Sequence, residues 1–305
     1  MKLPQKVQIV EVGPRDGFQI ESAFIPTEQK IKIINQLSET GLQRIEATSF
    51  VHPKAVPQLA DAAEVMAGIT RKEGVRYLAL VPNVKGVERA AQAGVTEISL
   101  VVSASESHNK SNVNMSIAES MQALKETIRI ALDNDMRVTG GLATVFGCPF
   151  EGWVSPERVE GIVKDFLDWG VHEISLGDTT GMANPSQVSE MVARLKPILK
   201  DIELRLHFHN TRGAGIANVL AAMLEGATIF DSSIAGLGGC PFAPGATGNI
   251  STEDTVHTLE SMGIDTGINL LKLINCAKLV QDILGRELSG QVMKANPVPW
   301  AVKSK

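Results

Sequence analysis

The 305 residues are 44% hydrophobic but only 4% aromatic, which suits a soluble globular chain whose core is built from Val, Ile, Leu and Ala. With 29 Lys+Arg against 34 Asp+Glu and a formal net charge of -5, there is no basic footprint for nucleic acid. No apolar run approaches the roughly 20 residues of a membrane span, and Met1-Lys2-Leu3-Pro4-Gln5-Lys6 leads straight into a strand-like segment rather than a signal peptide, so a cytoplasmic protein is expected.

Short β-rich runs alternate with longer segments of helical apolar spacing from one end to the other, the pattern of βαβ units and a parallel sheet. Strands are predicted at Val7–Val12, Arg44–Phe50, Arg76–Pro82, Glu97–Ser103, Arg137–Val145, Glu173–Asp178, Leu204–His209 and Ile229–Ile234. Helices are predicted at Thr27–Glu39, Ala55–Ala67, Val84–Ala93, Ile117–Asn134, Ser155–Trp169, Pro185–Leu195, Ala214–Glu225 and Thr252–Ser261. Ser155-Pro156-Glu157 and Asn184-Pro185-Ser186 are start signals, a capping side chain ahead of a first-turn proline; Gly41, Gly94, Gly170 and Gly226 are stop signals. The phrase Gly-x-x-Glu-Ile-Ser-Leu occurs twice, at Gly94–Leu100 and Gly170–Leu176, an echo of a repeated helix-to-strand unit.

Eight β/α units in about 260 residues fit a (β/α)₈ TIM barrel, an α/β fold, with Gly267–Gly285 as an additional C-terminal helix. A doubly wound open sheet competes, but Gly13-Pro14-Arg15-Asp16-Gly17 after the first strand is not a phosphate-binding glycine motif. With no linker or low-complexity stretch, the reading is one domain: residues 1–285 as the catalytic barrel and 286–305 as its extension.

A barrel carries its active site at the C-terminal mouth, so residues at the strand ends are the candidates. They are Arg15 and Asp16 after strand one, Glu46 with Thr48 and Ser49 on strand two, Asp178-Thr179-Thr180 after strand six, and His207-Phe208-His209-Asn210 at strand seven. His207 and His209, two apart on a strand, point to one face and can share a metal; Asp16 is the best third ligand. Nitrogen and oxygen donors without thiolate suit Mg²⁺ or Mn²⁺, although imidazole also admits Zn²⁺, Co²⁺ or Fe²⁺. The glycine-rich stretch Ala235–Asn249 after strand eight reads as a lid, and Cys240 within it as a chemical rather than a packing cysteine. Cys148 and Cys276 read as ordinary small apolar residues, and three scattered cysteines make no disulfide framework.

Glu11-Val12-Gly13-Pro14-Arg15-Asp16-Gly17, Thr48-Ser49-Phe50-Val51-x-Pro53-Lys54, Phe146-Gly147-Cys148-Pro149, Ser175-Leu176-Gly177-Asp178-Thr179 and Gly236-Leu237-Gly238-Gly239-Cys240-Pro241 together resemble HMG-CoA lyases, over residues 7 to 285. The larger superfamily also holds isopropylmalate and homocitrate synthases. The resemblance implies cleavage of 3-hydroxy-3-methylglutaryl-CoA to acetyl-CoA and acetoacetate. It implies metal binding by Asp16, His207, His209 and Asn249, enolate stabilisation by Arg15, proton transfer by Cys240, and catalytic places for Glu46 and Asp178; Asn249 is added by the resemblance alone. An acyl-CoA substrate is the implied partner, and a homodimer is the base-rate assembly. The sequence departs from the family on strand five, where Thr139 and Gly141 stand in place of an Arg and a Tyr, at Phe18-Gln19-Ile20 and at Asn210. A bulkier 3-substituted acyl-CoA is therefore the alternative substrate; a Claisen-type synthase and a non-catalytic acyl-CoA-binding paralogue are the other readings.

Overall fold

A computed structural model of the chain describes residues 3–239 and 248–302. Its centre is a closed parallel barrel of eight strands in chain order: β1 (Gln8–Glu11), β2 (Arg44–Ser49), β3 (Arg76–Leu80), β4 (Glu97–Ser103), β5 (Arg137–Ala143), β6 (Glu173–Asp178), β7 (Glu203–Phe208) and β8 (Ile229–Ser232), with β8 pairing back onto β1. The helices around it are α1 (Thr27–Ser38), α2 (Ala62–Gly68), α3 (Val84–Gln92), α4 (Glu106–Val113), α5 (Ile117–Asp133), α6 (Pro156–Asp168), α7 (Pro185–Leu199), α8 (Gly215–Leu224), α9 (Thr252–Ser261), α10 (Leu270–Leu284) and a short α11 (Val292–Ala295). Every predicted strand is present, and the TIM barrel is the fold.

Three helix expectations change. In place of a helix from Ala55 there is a 3₁₀ turn at Pro57–Leu59 before α2, because the residue ahead of a proline is pushed out of helical geometry; Val56 has ψ 79°. Helix α4 was not foreseen: Glu-Ser-His-Asn-Lys-Ser-Asn-Val has no apolar stripe, and its start rests on Ser105 Oγ accepting from the His108 N–H at 3.2 Å. Helix α7 runs on through Pro197 to Leu199.

Strand side chains alternate between the helix layer and the lumen. The outward set, including Ile98, Leu100, Val138, Leu142, Ile174 and Leu206, packs into the main core. The lumen is partly ionic. Arg44 of β2, wholly buried, donates from Nη1 and Nη2 to Glu173 at 2.6 and 2.9 Å and also pairs with Glu97. Those two carboxylates open the two copies of Glu-Ile-Ser-Leu, so the repeat places equivalent acids on β4 and β6 for one arginine. Thr139 Oγ1 donates to Glu173 at 2.9 Å, and Arg205 Nε lies 3.2 Å from it.

Burial alone would raise Glu173, but Arg205, Arg44 and Thr139 outweigh it and hold the carboxyl at about 2. The stability this confers is complete above the ordinary value of 4.5 and fades as pH falls toward about 2. Arg44→Met should cost about 3–5 kcal/mol in urea unfolding at neutral pH, because it strands buried carboxylates without their counter-ion. Arg44→Met combined with Glu173→Leu should recover part of that loss; a single variant as stable as wild type would rule out the network as a structural element.

Candidate metal centre and active site

The first loop is shaped by a carboxylate. Glu11, at the end of β1, accepts the Gly13 N–H at 2.7 Å, the Ile234 N–H at 2.8 Å and the Thr252 hydroxyl at 2.7 Å, tying β1 to the chain after β8. Burial pushes it up to about 7 against those three bonds. The next residues, Gly13–Gly17, form a tight π-type turn, with the Asp16 N–H on Val12 O at 2.7 Å. A Cβ at Gly17 would stand 2.6 Å from the Leu237 side chain, so the turn packs directly against the chain after β8. It lifts Arg15 and Asp16 over the lumen.

Arg15 Nε donates to Glu46 at 2.6 Å and its Nη1 to Asp16. Asp16 also accepts from Asn249 Nδ2 at 2.6 Å, and that amide is anchored on Leu237 O at 3.0 Å. Burial works against the Asp16 anion, but Arg15, His207 and His209 hold its carboxyl well below the usual carboxylate range.

His207 on β7 and His209 just after its end present their Nε2 atoms to each other at 3.1 Å. One donor atom from each of Asp16, His207 and His209 lies within 4.8 Å of the others, a cluster able to hold a metal ion. His207 Nδ1 donates to Asp231 Oδ2 of β8 at 3.1 Å, which puts the lone pair of the neutral ring on Nε2. Burial opposes protonation of His207 but Asp231 raises it, whereas burial and then His207 push His209 down to about 3 and keep it neutral. Asn249 is brought in by a bridge to His209, with Asn210 N–H on Gly248 O at 2.7 Å.

The structure therefore brings together Arg15, Asp16, Glu46, His207, His209 and Asn249. Asp178 stands apart from their hydrogen bonds: its Oδ1 accepts the Met182 and Ala183 N–H groups at 2.8 and 3.0 Å, shaping the loop after β6, while Oδ2 has no hydrogen-bond partner among the described residues and burial pushes the carboxyl up to about 7. Cys240 lies outside the described residues. Cys276 is buried between α10 and α1, and Cys148 is buried as expected, although its Sγ accepts from Ser105 Oγ at 2.9 Å and from the Phe150 N–H at 3.3 Å. Asp231 and Arg205 were not singled out from the sequence; the alternation Arg205, His207, His209 along one strand was the signal that could have found Arg205.

The chain after β8 is clamped at Ala235 and Gly236. Ala235, with φ +57°, donates its N–H to Glu253 at 3.0 Å, and its carbonyl accepts the Gly290 N–H at 3.1 Å. Ser289 Oγ donates to Gly236 O at 3.1 Å, and Asp254 of α9 accepts the N–H groups of Gln291 and Val292.

A family model described as HMGL-like matches residues 6–280. The chain is 47% identical over 299 residues to the hydroxymethylglutaryl-CoA lyase YngG of Bacillus subtilis, covering 97% of this chain and 100% of that protein. It is likewise 47% identical over 293 residues to the mitochondrial hydroxymethylglutaryl-CoA lyase of Macaca fascicularis, covering 96% of this chain and 90% of that one. A solved HMG-CoA lyase of Acinetobacter baumannii, in complex with coenzyme A and 3-methylmalate, superposes with a TM-score of 0.93 at 47% identity over 98% of each chain.

Proposed function

The chain belongs to the HMGL-like family, and from that premise we propose that it is a divalent-metal-dependent carbon–carbon lyase, splitting 3-hydroxy-3-methylglutaryl-CoA or a close 3-hydroxyacyl-CoA into acetyl-CoA and a 3-oxo acid, acetoacetate for HMG-CoA. The observation that carries this reading is the convergence of two imidazole Nε2 atoms and a carboxylate beside a partly buried arginine at the barrel mouth. The donor set fits a divalent cation. His209 is neutral, Asp16 is anionic, and Asn249 Oδ1 is a buried acceptor with no hydrogen-bond partner among the described residues. Asp16, His207, His209 and Asn249 would hold the ion, and oxygen with imidazole favours Mg²⁺ or Mn²⁺. When bound, the ion supplies Lewis acidity toward an oxygen of the substrate.

The chain's own residues account for the rest. Arg15, oriented by Glu46 and Asp16 and always charged, donates to the thioester oxygen as it gains enolate charge. Asp178, with an open Oδ2 and an affinity for protons near neutrality, takes the tertiary hydroxyl proton as the C2–C3 bond breaks and its electron pair passes to the thioester. Cys240 then returns a proton to C2. Residues 1–285 are read as the catalytic barrel and 286–305 as an extension of the same domain, a reading supported by the bonds of Ser289 and Gly290 to Gly236 and Ala235. Among the described residues no helix is long and apolar enough to cross a membrane. A cytoplasmic homodimer completes the proposal, the pairing resting on the commonness of twofold assemblies.

One observation favours a larger 3-substituent. Val101 occupies an inward position of β4 yet is 44% exposed, and its β5 neighbour is Gly141, so that side of the mouth is open. Thr139 lies deeper, wholly buried against Glu173. The test is cleavage of a series of 3-hydroxy-3-alkylglutaryl-CoA thioesters, before and after chelation. Turnover should vanish with the chelator and return with Mg²⁺ or Mn²⁺; full turnover by verified metal-free protein would end the metal-dependent reading, and no cleavage of any member of the series by metal-loaded protein would end the lyase reading. Longer 3-alkyl groups should gain in kcat/KM, about 0.8 kcal/mol for each CH₂ buried. Val101→Phe should reverse that order. It is the cleaner variant, because a Cβ at Gly141 would stand 2.7 Å from the Leu100 carbonyl.

A further inference from the structure

We propose that Arg205 is a positioning residue for the metal centre, acting through Asp231 on His207; the inference rests on the metal reading of that site. Arg205 precedes His207 by two residues on β7 and shares its lumen face, and the ladder sets His207 opposite Asp231 on β8. The Asp231 carboxylate stands between a cation and an imidazole. Its Oδ1 is 3.6 Å from Arg205 Nη1, and its Oδ2 is 3.1 Å from His207 Nδ1. All three groups are buried or nearly so, and the far side of the guanidinium is pinned by Nη2 donating to Ser99 Oγ of β4 at 3.0 Å.

The bland alternative is that Arg205 only neutralises Glu173, 3.2 Å away. That carboxylate, however, is already held by both terminal nitrogens of Arg44 and by Thr139. Asp231 has no arginine or lysine other than Arg205 within ion-pair distance among the described residues. Without it the carboxylate would keep only the imidazole above it, and its other oxygen would lose the cation that attracts it. The consequence falls on one histidine. His209 Nδ1 has no hydrogen-bond partner among the described residues, so the direction of the shared Nε2 pair is set through His207. Outer carboxylates of this kind fix ring orientation, and their loss commonly weakens metal binding about 10- to 100-fold.

Calorimetric titration of the metal-free, full-length protein with Mn²⁺, in the absence of substrate, reads the effect apart from turnover. Asp231→Asn and Arg205→Met should each raise the Mn²⁺ Kd about tenfold or more, and Arg205→Lys should restore most of the affinity. Because the arginine acts through the carboxylate, R205M/D231N should bind no more weakly than D231N alone. Unchanged affinity in a folded R205M protein, or additive losses in the double variant, overturns the inference. If R205M does not fold, D231N decides, since wild-type Mn²⁺ affinity in D231N overturns it equally. Failure of the wild-type protein to bind Mn²⁺ at all overturns the metal reading instead.

Discussion

His209→Ala should lose metal binding and turnover together, with kcat/KM down by about a thousandfold or more while the protein still folds. The metal's share of transition-state stabilisation is several kcal/mol, and about 4 kcal/mol is already three powers of ten. His209 is the imidazole that burial keeps neutral, at about 3, so its lone pair is available across the physiological range without proton competition. The strand-to-loop bridge with Asn249 runs through the backbone and survives loss of the ring, which is why the fold should persist. The control is His172→Ala at the opposite end of the barrel, where the ring accepts the Val138 N–H and only stability is at stake. Mn²⁺ titration and steady-state kinetics on both variants decide the matter. Wild-type kcat/KM in His209→Ala would remove this residue from the centre.

Cys240→Ser should lower kcat by about 10²–10⁴-fold, the usual worth of a positioned acid, with metal affinity unchanged. A thiol with a pKa of about 8.5 can release a proton to an enolate carbon, and a serine hydroxyl is far too weak an acid to replace it. Cys276→Ser is the matched comparison. Its thiol is buried against α1, 3.9 Å from Ile33 O, and burial pushes its pKa up, so it stays protonated and remote from substrate. The readout is kcat with Mn²⁺ content and circular dichroism alongside. Equal behaviour of the two serine variants would deny Cys240 any special chemistry.

The barrel was legible because its strands carry β-branched runs at regular spacing between capped helices, signals that are local in the chain. Helix α4 was illegible for the converse reason: its stability comes from the Ser105 cap and from Asn109, whose amide reaches Met115 O and Ser120 Oγ, not from an apolar stripe. The facing histidine pair could be read from the spacing of His207 and His209 alone. Asn249 could not, since only the return of the chain along His209 brings it to Asp16, 233 residues away in sequence. The lumen ion network was equally hidden, because Arg44 finds Glu173 across 129 residues and only through closure of the sheet. Asp178 ends β6, and its division into one oxygen that shapes the next loop and one without a hydrogen-bond partner among the described residues is not written in its strand-end position.

The clamp on Ala235 and Gly236 has a consequence for how the protein is made. Glu11 finds its partners at Ile234 and Thr252, and Ala235 finds its own at Glu253 and Gly290. During synthesis, β1 leaves the ribosome more than two hundred residues before the groups that fix its turn, and the histidines emerge before Asn249 and the clamp. Domains generally fold as units, so the first loop and the chain after β8 stay unsupported until these late residues are available. The site is thus among the last features to be completed, and a chain arrested short of Gly290 would be a nearly whole barrel with an unfinished catalytic mouth.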